Sequence, residues 1–103
     1  MIMEFTFYPF VAKNVEKVED SWGIYKLADG LKKVVFIGRG NIGTHLPKHL
    51  PDGTSPADDV EYFSFEYYDS GEEAYEAYED MLKDHYKKFG KYPRYNKPLD
   101  RAG

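Results

Sequence analysis

Apolar and polar positions follow an extended pattern in three short stretches of the chain, at residues 22 to 27, 33 to 37 and 60 to 68. The second stretch is rich in β-branched side chains and the third in aromatic ones, and both classes favour strands. The turn sequence Ala-Asp-Gly at residues 28 to 30 separates the first two stretches. The pattern therefore predicts an antiparallel hairpin followed by a further strand.

The longest helix is predicted to begin after Ser70 and to run to about Phe89. Ser70 followed by Glu73 has the spacing of a capping box. At about 100° per residue, one arc of this helix is apolar, and we expect it to be buried. It contains Tyr75, Tyr78, Leu82, Tyr86 and Phe89, with Ala74, Met81 and His85 widening it. Glu79 lies at the edge of the arc and Glu76 points away, so Glu79 is the acid expected beside a cleft.

The remaining segments give shorter predictions. Residues 3 to 10, with Phe5 and Phe7 on one side, predict an edge strand that Pro9 ends. Residues 11 to 19 fit either a short helix or an irregular link. Because three glycines fall within six residues, we expect a loop from Gly38 to Gly43. A short helix limited by a proline is expected over residues 41 to 49, then a surface loop over 54 to 59.

Composition narrows the class of protein. With 103 residues, the chain has the size of one small domain. No apolar run approaches the roughly 20 residues of a membrane span, so we expect a soluble cytoplasmic protein. The formal net charge of -4 argues against a non-specific polyanion binder. Any contact with nucleic acid should therefore be local.

The glycine-rich run at residues 38 to 43 fits a GxGxxG fingerprint that directly follows a strand. Such a loop brings backbone donors to the pyrophosphate of a dinucleotide. The helix that should follow is interrupted at Pro47 and ended at Pro51, too early for a βαβ crossover. Asp58 and Asp59 stand at the expected distance for a ribose ligand, but they precede the next strand. A dinucleotide site is thus one hypothesis among others.

A second pattern uses more of the chain. Gly23-Ile24-Tyr25, ten residues, and Phe36-Ile37-Gly38 resemble the signature of the GIY-YIG nuclease family, with Phe36 where the second tyrosine belongs. The following Asn41-Ile42, His45-Leu46 and His49 resemble that family's Asn-Leu, Arg-Leu and His. Residues 49 to 53 resemble the end of that helix in small archaeal members. Residues 93 to 96, Pro-Arg-Tyr-Asn, resemble the segment after the catalytic helix of UvrC-type repair nucleases. The resemblance thus implies a motif-bearing core at residues 22 to 96, with residues 1 to 20 as an N-terminal extension.

This resemblance implies an α+β fold, a small three-stranded antiparallel sheet flanked by helices, and metal-dependent hydrolysis of DNA phosphodiester bonds. Tyr25 takes the place of the tyrosine beside the attacking water, and Glu79 that of the carboxylate holding one Mg²⁺ or Mn²⁺. His45 takes the place of the arginine that binds the phosphate, with Arg39 as a substitute. The structural positions of the motif are Gly23, Phe36, Gly38, Asn41 and His49.

Three functions remain open at this point. Phe36 lacks a hydroxyl, and an imidazole at His45 is a weaker phosphate clamp than a guanidinium. A divergent endonuclease therefore competes with a catalytically inactive module for binding nucleic acid or protein, and with a small dinucleotide-binding domain. DNA contacts are expected at Lys32, Lys33, Lys48 and Arg94, with Lys87, Lys88, Lys91 and Lys97 as further basic positions near the end of the helix. A protein partner would supply recognition.

Overall fold

The computed structural model of the chain describes residues 6 to 54, 56 to 57 and 59 to 96. Some of the predictions fall outside the described residues. They concern residues 3 to 5 of the predicted edge strand, Asp58 of the dinucleotide hypothesis and Lys97 of the basic tail.

An antiparallel sheet forms the centre of the described chain. Its strands are β1 (Tyr8–Pro9), β2 (Trp22–Ala28), β3 (Val34–Asn41) and β4 (Tyr62–Tyr67), in the spatial order β1-β4-β2-β3. The helices are α1 (Ala12–Val15), α2 (Ile42–His45) and α3 (Gly71–Phe89), and a 3-10 helix (Leu46–His49) directly continues α2. The α+β class is confirmed. The sheet has four strands instead of three, because the N-terminal segment pairs with β4.

The two faces of the sheet pack against different helices, because side chains alternate between the faces along each strand. Tyr25, Leu27 and Phe63 share one face and pack with α1, α2 and the 3-10 helix in the main core. Ile24 and Ile37 lie on the opposite face, which α3 covers. Phe10 and Val15 also belong to the main core. The predicted N-terminal extension is therefore packed into the domain.

The predicted hairpin and the predicted helix boundaries are both confirmed. β2 and β3 pair around a turn in which Asp29 Oδ1 accepts the N–H groups of Leu31 and Lys33, at 3.0 and 2.9 Å. Ser70 Oγ accepts the N–H of Glu73 at 3.1 Å and so caps α3. The helix ends at Gly90, whose φ of 76° is the left-handed conformation typical of a helix C-terminus.

The loop predicted from Gly38 to Gly43 is wrong. β3 continues to Asn41, and its register sets Gly38 opposite Tyr25 and Gly40 opposite Gly23. A Cβ at Gly38 would lie 2.3 Å from Tyr25 Cζ, so the glycine provides space for a ring that crosses the strand. Gly38 and Gly40, two of the glycines that predicted a loop, therefore lie inside a strand. Because this strand is paired antiparallel, the glycines do not form the strand-to-helix turn that the dinucleotide hypothesis requires.

The prediction that one apolar arc of α3 is buried is wrong in part. Tyr75, Tyr86 and Phe89 are 42%, 49% and 53% exposed, whereas Ala74 is 1% exposed. The small side chain of Ala74 lets the helix approach the sheet closely, and the large rings lie to the sides of that contact. Helical periodicity identified the apolar residues, but the tyrosines prefer a boundary where the hydroxyl reaches water. Within the described residues, no helix combines the length and apolar character needed to cross a membrane.

Candidate functional site

An open cavity of about 800 Å³ lies along β3, which is an outer strand of the sheet. This volume falls within the roughly 300–1,000 Å³ of typical ligand sites. α3 borders the cavity on one side, and residues 92 to 96 border it near the start of β3. All four residues predicted as catalytic, Tyr25, Arg39, His45 and Glu79, line this one cavity. The exposed Glu76 does not, as expected from the helical indexing.

Tyr25 is the most deeply set of these residues, with 3% of its surface exposed. Its hydroxyl lies 3.1 Å from His49 Nε2, a hydrogen-bond distance. Burial raises the pKa of the Tyr25 hydroxyl well above its ordinary value, and the neighbouring Tyr78 raises this pKa further. Tyr25 is therefore a neutral phenol near pH 7. A proton acceptor such as His49 is needed before its oxygen can take a proton from another group.

Phe36, which the resemblance aligns with a tyrosine, contacts both members of this pair. Its ring centroid is 5.9 Å from that of Tyr25 and 5.1 Å from that of His49. Aromatic rings at such distances attract each other by roughly 0.5–1.5 kcal/mol beyond their burial. The phenylalanine thus contributes packing that fixes the Tyr25 and His49 rings, in a place where a tyrosine would add a hydroxyl.

Arg39 and Glu79 come from different elements and meet through tyrosines of α3. The Arg39 guanidinium lies 4.6 Å from the ring centroid of Tyr75 and 5.4 Å from that of Tyr78. The Tyr75 hydroxyl donates to Glu79 Oε2 at 2.7 Å, and this bond raises the pKa of Tyr75. Stacking on aromatic rings is a common geometry for arginine. A cation, a phenol and a carboxylate are therefore held side by side at the cavity.

His45 reaches the cavity from α2. A Cβ at Gly40 would lie 2.9 Å from His45 Cδ2 and 3.0 Å from Nε2, and the φ of 121° at Gly40 also favours glycine. The helix itself is held by Asp20, whose Oδ1 and Oδ2 accept the N–H and hydroxyl of Thr44, each at 2.8 Å. Gly40 and Asp20 therefore both position the imidazole. Asn41 precedes α2 without a side-chain capping bond, so its predicted structural role is confined to the strand end.

The segment after α3 borders the cavity and pairs with the outer edge of β3. Asn96 Oδ1 accepts the N–H of Ile37 at 2.9 Å, and Asn96 Nδ2 donates to the Ile37 carbonyl at 3.0 Å. The N–H of Tyr95 donates to the Val35 carbonyl at 2.8 Å. One amide side chain therefore satisfies the edge of the strand as a neighbouring strand would.

The four predicted DNA contacts do not line the cavity. Lys32 and Lys33 lie in the β2-β3 turn, and Lys48 is exposed on the 3-10 helix. Arg94 forms an ion pair with Asp59, whose second oxygen accepts the Tyr95 hydroxyl at 2.6 Å. The Tyr95 bond and, less strongly, Arg94 lower the pKa of the Asp59 carboxyl. The charge of Arg94 thus helps to anchor the C-terminal segment.

Glu79 is the candidate metal ligand. The described residues contain no group of three or more His, Asp or Glu side chains suited to hold a metal ion together. Mg²⁺ commonly binds through only one or two carboxylates and keeps several waters, with substrate phosphates as further ligands. One carboxylate at an open cavity is compatible with that mode. The donor set therefore fits a single Mg²⁺ or Mn²⁺ held by Glu79.

Sequence reasoning missed the part played by several residues of the cavity. The apolar arc of α3 predicts burial for Tyr75 and Tyr78, and nothing in the sequence predicts the two backbone bonds of Asn96. The spacing of Tyr75 and Glu79, four residues apart on one helix, is a signal for contact between them. The crossing of Tyr25 over Gly38 requires the register of the hairpin, which the sequence alone leaves undetermined.

The fold and the site define a small α+β domain with an aromatic-lined cavity at the edge of its sheet. The chain belongs to the family described as Domain of unknown function (DUF7508), whose model matches residues 1 to 88. That match includes Tyr25, Arg39, His45 and Glu79 and ends before Asn96. No curated protein matches the chain.

Proposed function

We propose that the chain is a divergent endonuclease that hydrolyses DNA phosphodiester bonds with one Mg²⁺ or Mn²⁺. The observation that supports this proposal is the convergence of Tyr25, Arg39, His45 and Glu79 on one open cavity. These residues come from four different elements, β2, β3, α2 and α3. Phosphodiester hydrolysis needs a group that accepts a proton from the attacking water, nitrogen groups that bind the phosphate and a carboxylate that holds the cation. The cavity contains a side chain of each kind.

The proton transfers follow from the Tyr25 and His49 pair. The Tyr25 hydroxyl orients a water molecule for attack on phosphorus. As the new P–O bond forms, the water gives a proton to the phenol oxygen, and the phenol proton moves to His49 Nε2. This concerted transfer avoids a free tyrosinate, which the raised pKa of Tyr25 disfavours. The P–O bond to the leaving oxygen breaks, and that oxygen is protonated by solvent.

The remaining residues act on the charge of the phosphate. Arg39 and His45 bind non-bridging oxygens, and Glu79 holds the cation. A bound Mg²⁺ or Mn²⁺ supplies Lewis-acid neutralisation of charge on the phosphate. The two tyrosine rings under Arg39 restrict its guanidinium, so less conformational freedom is lost when it meets a phosphate.

The test is cleavage of labelled single-stranded, duplex and branched DNA in Mn²⁺, with Glu79→Gln compared with Glu76→Gln. Both variants remove one acid from α3, but Glu76 is exposed and does not line the cavity. We expect Glu79→Gln to lose at least about 100-fold in rate and Tyr25→Phe about 10²- to 10⁴-fold. Equal rates for the two glutamate variants, or no metal-dependent cleavage by the unaltered protein, would exclude the proposal.

The alternative is a catalytically inactive module that binds nucleic acid. It is favoured by Phe36, whose ring fills the place of a motif hydroxyl and packs on Tyr25 and His49. This alternative predicts DNA binding at low salt without metal-dependent cleavage. Binding should weaken in Arg39→Gln and remain unchanged in Lys48→Gln, because Lys48 lies outside the cavity.

A further inference from the structure

The cavity has large aromatic side chains that are open to solvent. Trp22, Tyr75 and Tyr95 line it and are 44%, 42% and 40% exposed. Rings of this size gain most free energy when another flat or apolar group covers them. Nucleobases present such a flat face, whatever their sequence. Exposed rings inside one concave site therefore indicate a ligand with bases free to stack.

The exposed rings stand at opposite ends of β3. Trp22 is paired with Asn41 at the end of the strand, and the N–H of Tyr95 donates to the Val35 carbonyl near its start. The six steps along the strand from Val35 to Asn41 span roughly 20 Å at about 3.4 Å per residue. Arg39 lies between these ends, over the Tyr75 ring. The site is thus elongated, with a cation between two stacking positions.

The surroundings of the cavity are unfavourable for a duplex. A duplex carries about one negative charge per 1.7 Å, and its binding needs a basic track along the backbone. The predicted basic contacts lie outside the cavity, and Arg94 is paired with Asp59. The exposed charges in the first half of α3 are all acidic, namely Glu72, Glu73, Glu76 and Asp80, whereas Lys83, Asp84, Lys87 and Lys88 give its second half charges of both signs. A rigid double helix would bring many phosphates towards these carboxylates, whereas an unpaired strand can enter the cavity alone.

We propose that the cavity takes an unpaired stretch of nucleic acid, with bases stacked on Trp22 and Tyr95 and a phosphate at Arg39. This inference rests on the proposed endonuclease function and names its class of substrate. Unpaired DNA can be a single strand, or the separated strand of a branched molecule.

The first test measures binding in EDTA, which stops metal-dependent cleavage. Trp22 is the only tryptophan, so its fluorescence reports directly on the cavity. A single-stranded oligonucleotide should quench Trp22 and bind at least tenfold more tightly than its duplex, and AMP should bind much more weakly than either. Equal or tighter binding of the duplex would overturn the inference, as would equally tight binding of AMP.

The second test separates stacking from folding. By anisotropy of a labelled oligonucleotide, Tyr95→Leu should weaken single-strand binding about 5- to 150-fold, the loss of one stacked base. Tyr95→Phe keeps the ring and loses the hydroxyl bond to Asp59, so its binding should be retained. Phe89→Leu is the matched control, because Phe89 is 53% exposed and lies outside the cavity. Equal effects of Tyr95→Leu and Phe89→Leu would refute stacking.

The two proposals fail in different ways. Metal-dependent cleavage of duplex DNA without binding of single strands would leave the endonuclease in place and overturn the inference. Absence of both binding and cleavage for every DNA form would overturn both.

Discussion

Replacement of Gly38 by alanine tests whether the Tyr25 ring determines the shape of the site. The new Cβ would lie 2.3 Å from Tyr25 Cζ and 2.5 Å from its hydroxyl oxygen. Normal contacts between such atoms are about 3.5–4.0 Å, so the ring would have to retreat by more than about 1 Å. Phe36 and His49 surround that ring and leave little room. The substitution should therefore be destabilising, in contrast to most glycine-to-alanine changes in a strand.

The expected loss has two parts. Overpacking of a buried ring costs about 1–3 kcal/mol. Displacement of the Tyr25 hydroxyl from His49 Nε2, now 3.1 Å away, costs a further 0.5–1.5 kcal/mol or so. Together they give roughly 2–4 kcal/mol, equivalent to a fall in Tm of about 10–25 °C for a domain of this size. Urea unfolding followed by Trp22 fluorescence and circular dichroism would measure the loss.

Gly30→Ala is the matched control for this substitution. A Cβ at Gly30 meets only Glu61 atoms at 3.8 Å, so its effect should stay within about 1 kcal/mol of zero. In a Tyr25→Leu background, Gly38→Ala should cost less than about 1 kcal/mol, since leucine lacks the atoms that clash. If Gly38→Ala costs the same with and without the tyrosine ring, the close approach is not what requires glycine.

Three further predictions concern stability and local opening. Ser64→Ala should raise the free energy of unfolding by about 1 kcal/mol in urea titrations, because within the described chain the buried Ser64 hydroxyl has no hydrogen-bond partner. Folding raises the pKa of Tyr68 to about 12 and also raises that of Tyr25, so the folded state keeps protons that the unfolded state releases. Stability should therefore fall as pH rises above about 10, and less steeply in Tyr25→Phe. Asn96→Ala should speed amide exchange at Ile37 by about fivefold, measured by NMR.

The sequence predicts best those features that depend on neighbours in the chain. The turn at Asp29 and the cap at Ser70 involve residues within four positions of each other, and both are present. The position of Glu79 beside the cavity also follows from local geometry, because helical periodicity fixes which side chains share a face. Boundaries of this kind need no knowledge of the rest of the fold.

Prediction fails where long-range packing decides between two uses of the same residue. Tyr75 and Tyr86 satisfy the periodicity of a buried face, yet the close contact with the sheet is made at Ala74. Helical periodicity predicts the direction in which each side chain points, but not how closely the helix packs against the sheet. In the same way, Arg94 looks like a free cation in the sequence, and its partner Asp59 is brought to it only by the fold.

The glycine pattern of β3 shows how one spacing serves two physical needs. In a dinucleotide-binding loop, glycines let backbone groups approach a phosphate. Here Gly38 and Gly40 lie two residues apart and therefore on one face, where they give room to the rings of Tyr25 and His45. A Cβ at Gly43 would lie 2.8 Å from the Cα and Cβ of Asp20, which holds α2. Each glycine thus gives room to a neighbouring residue, so close packing within the domain accounts for the GxGxxG spacing.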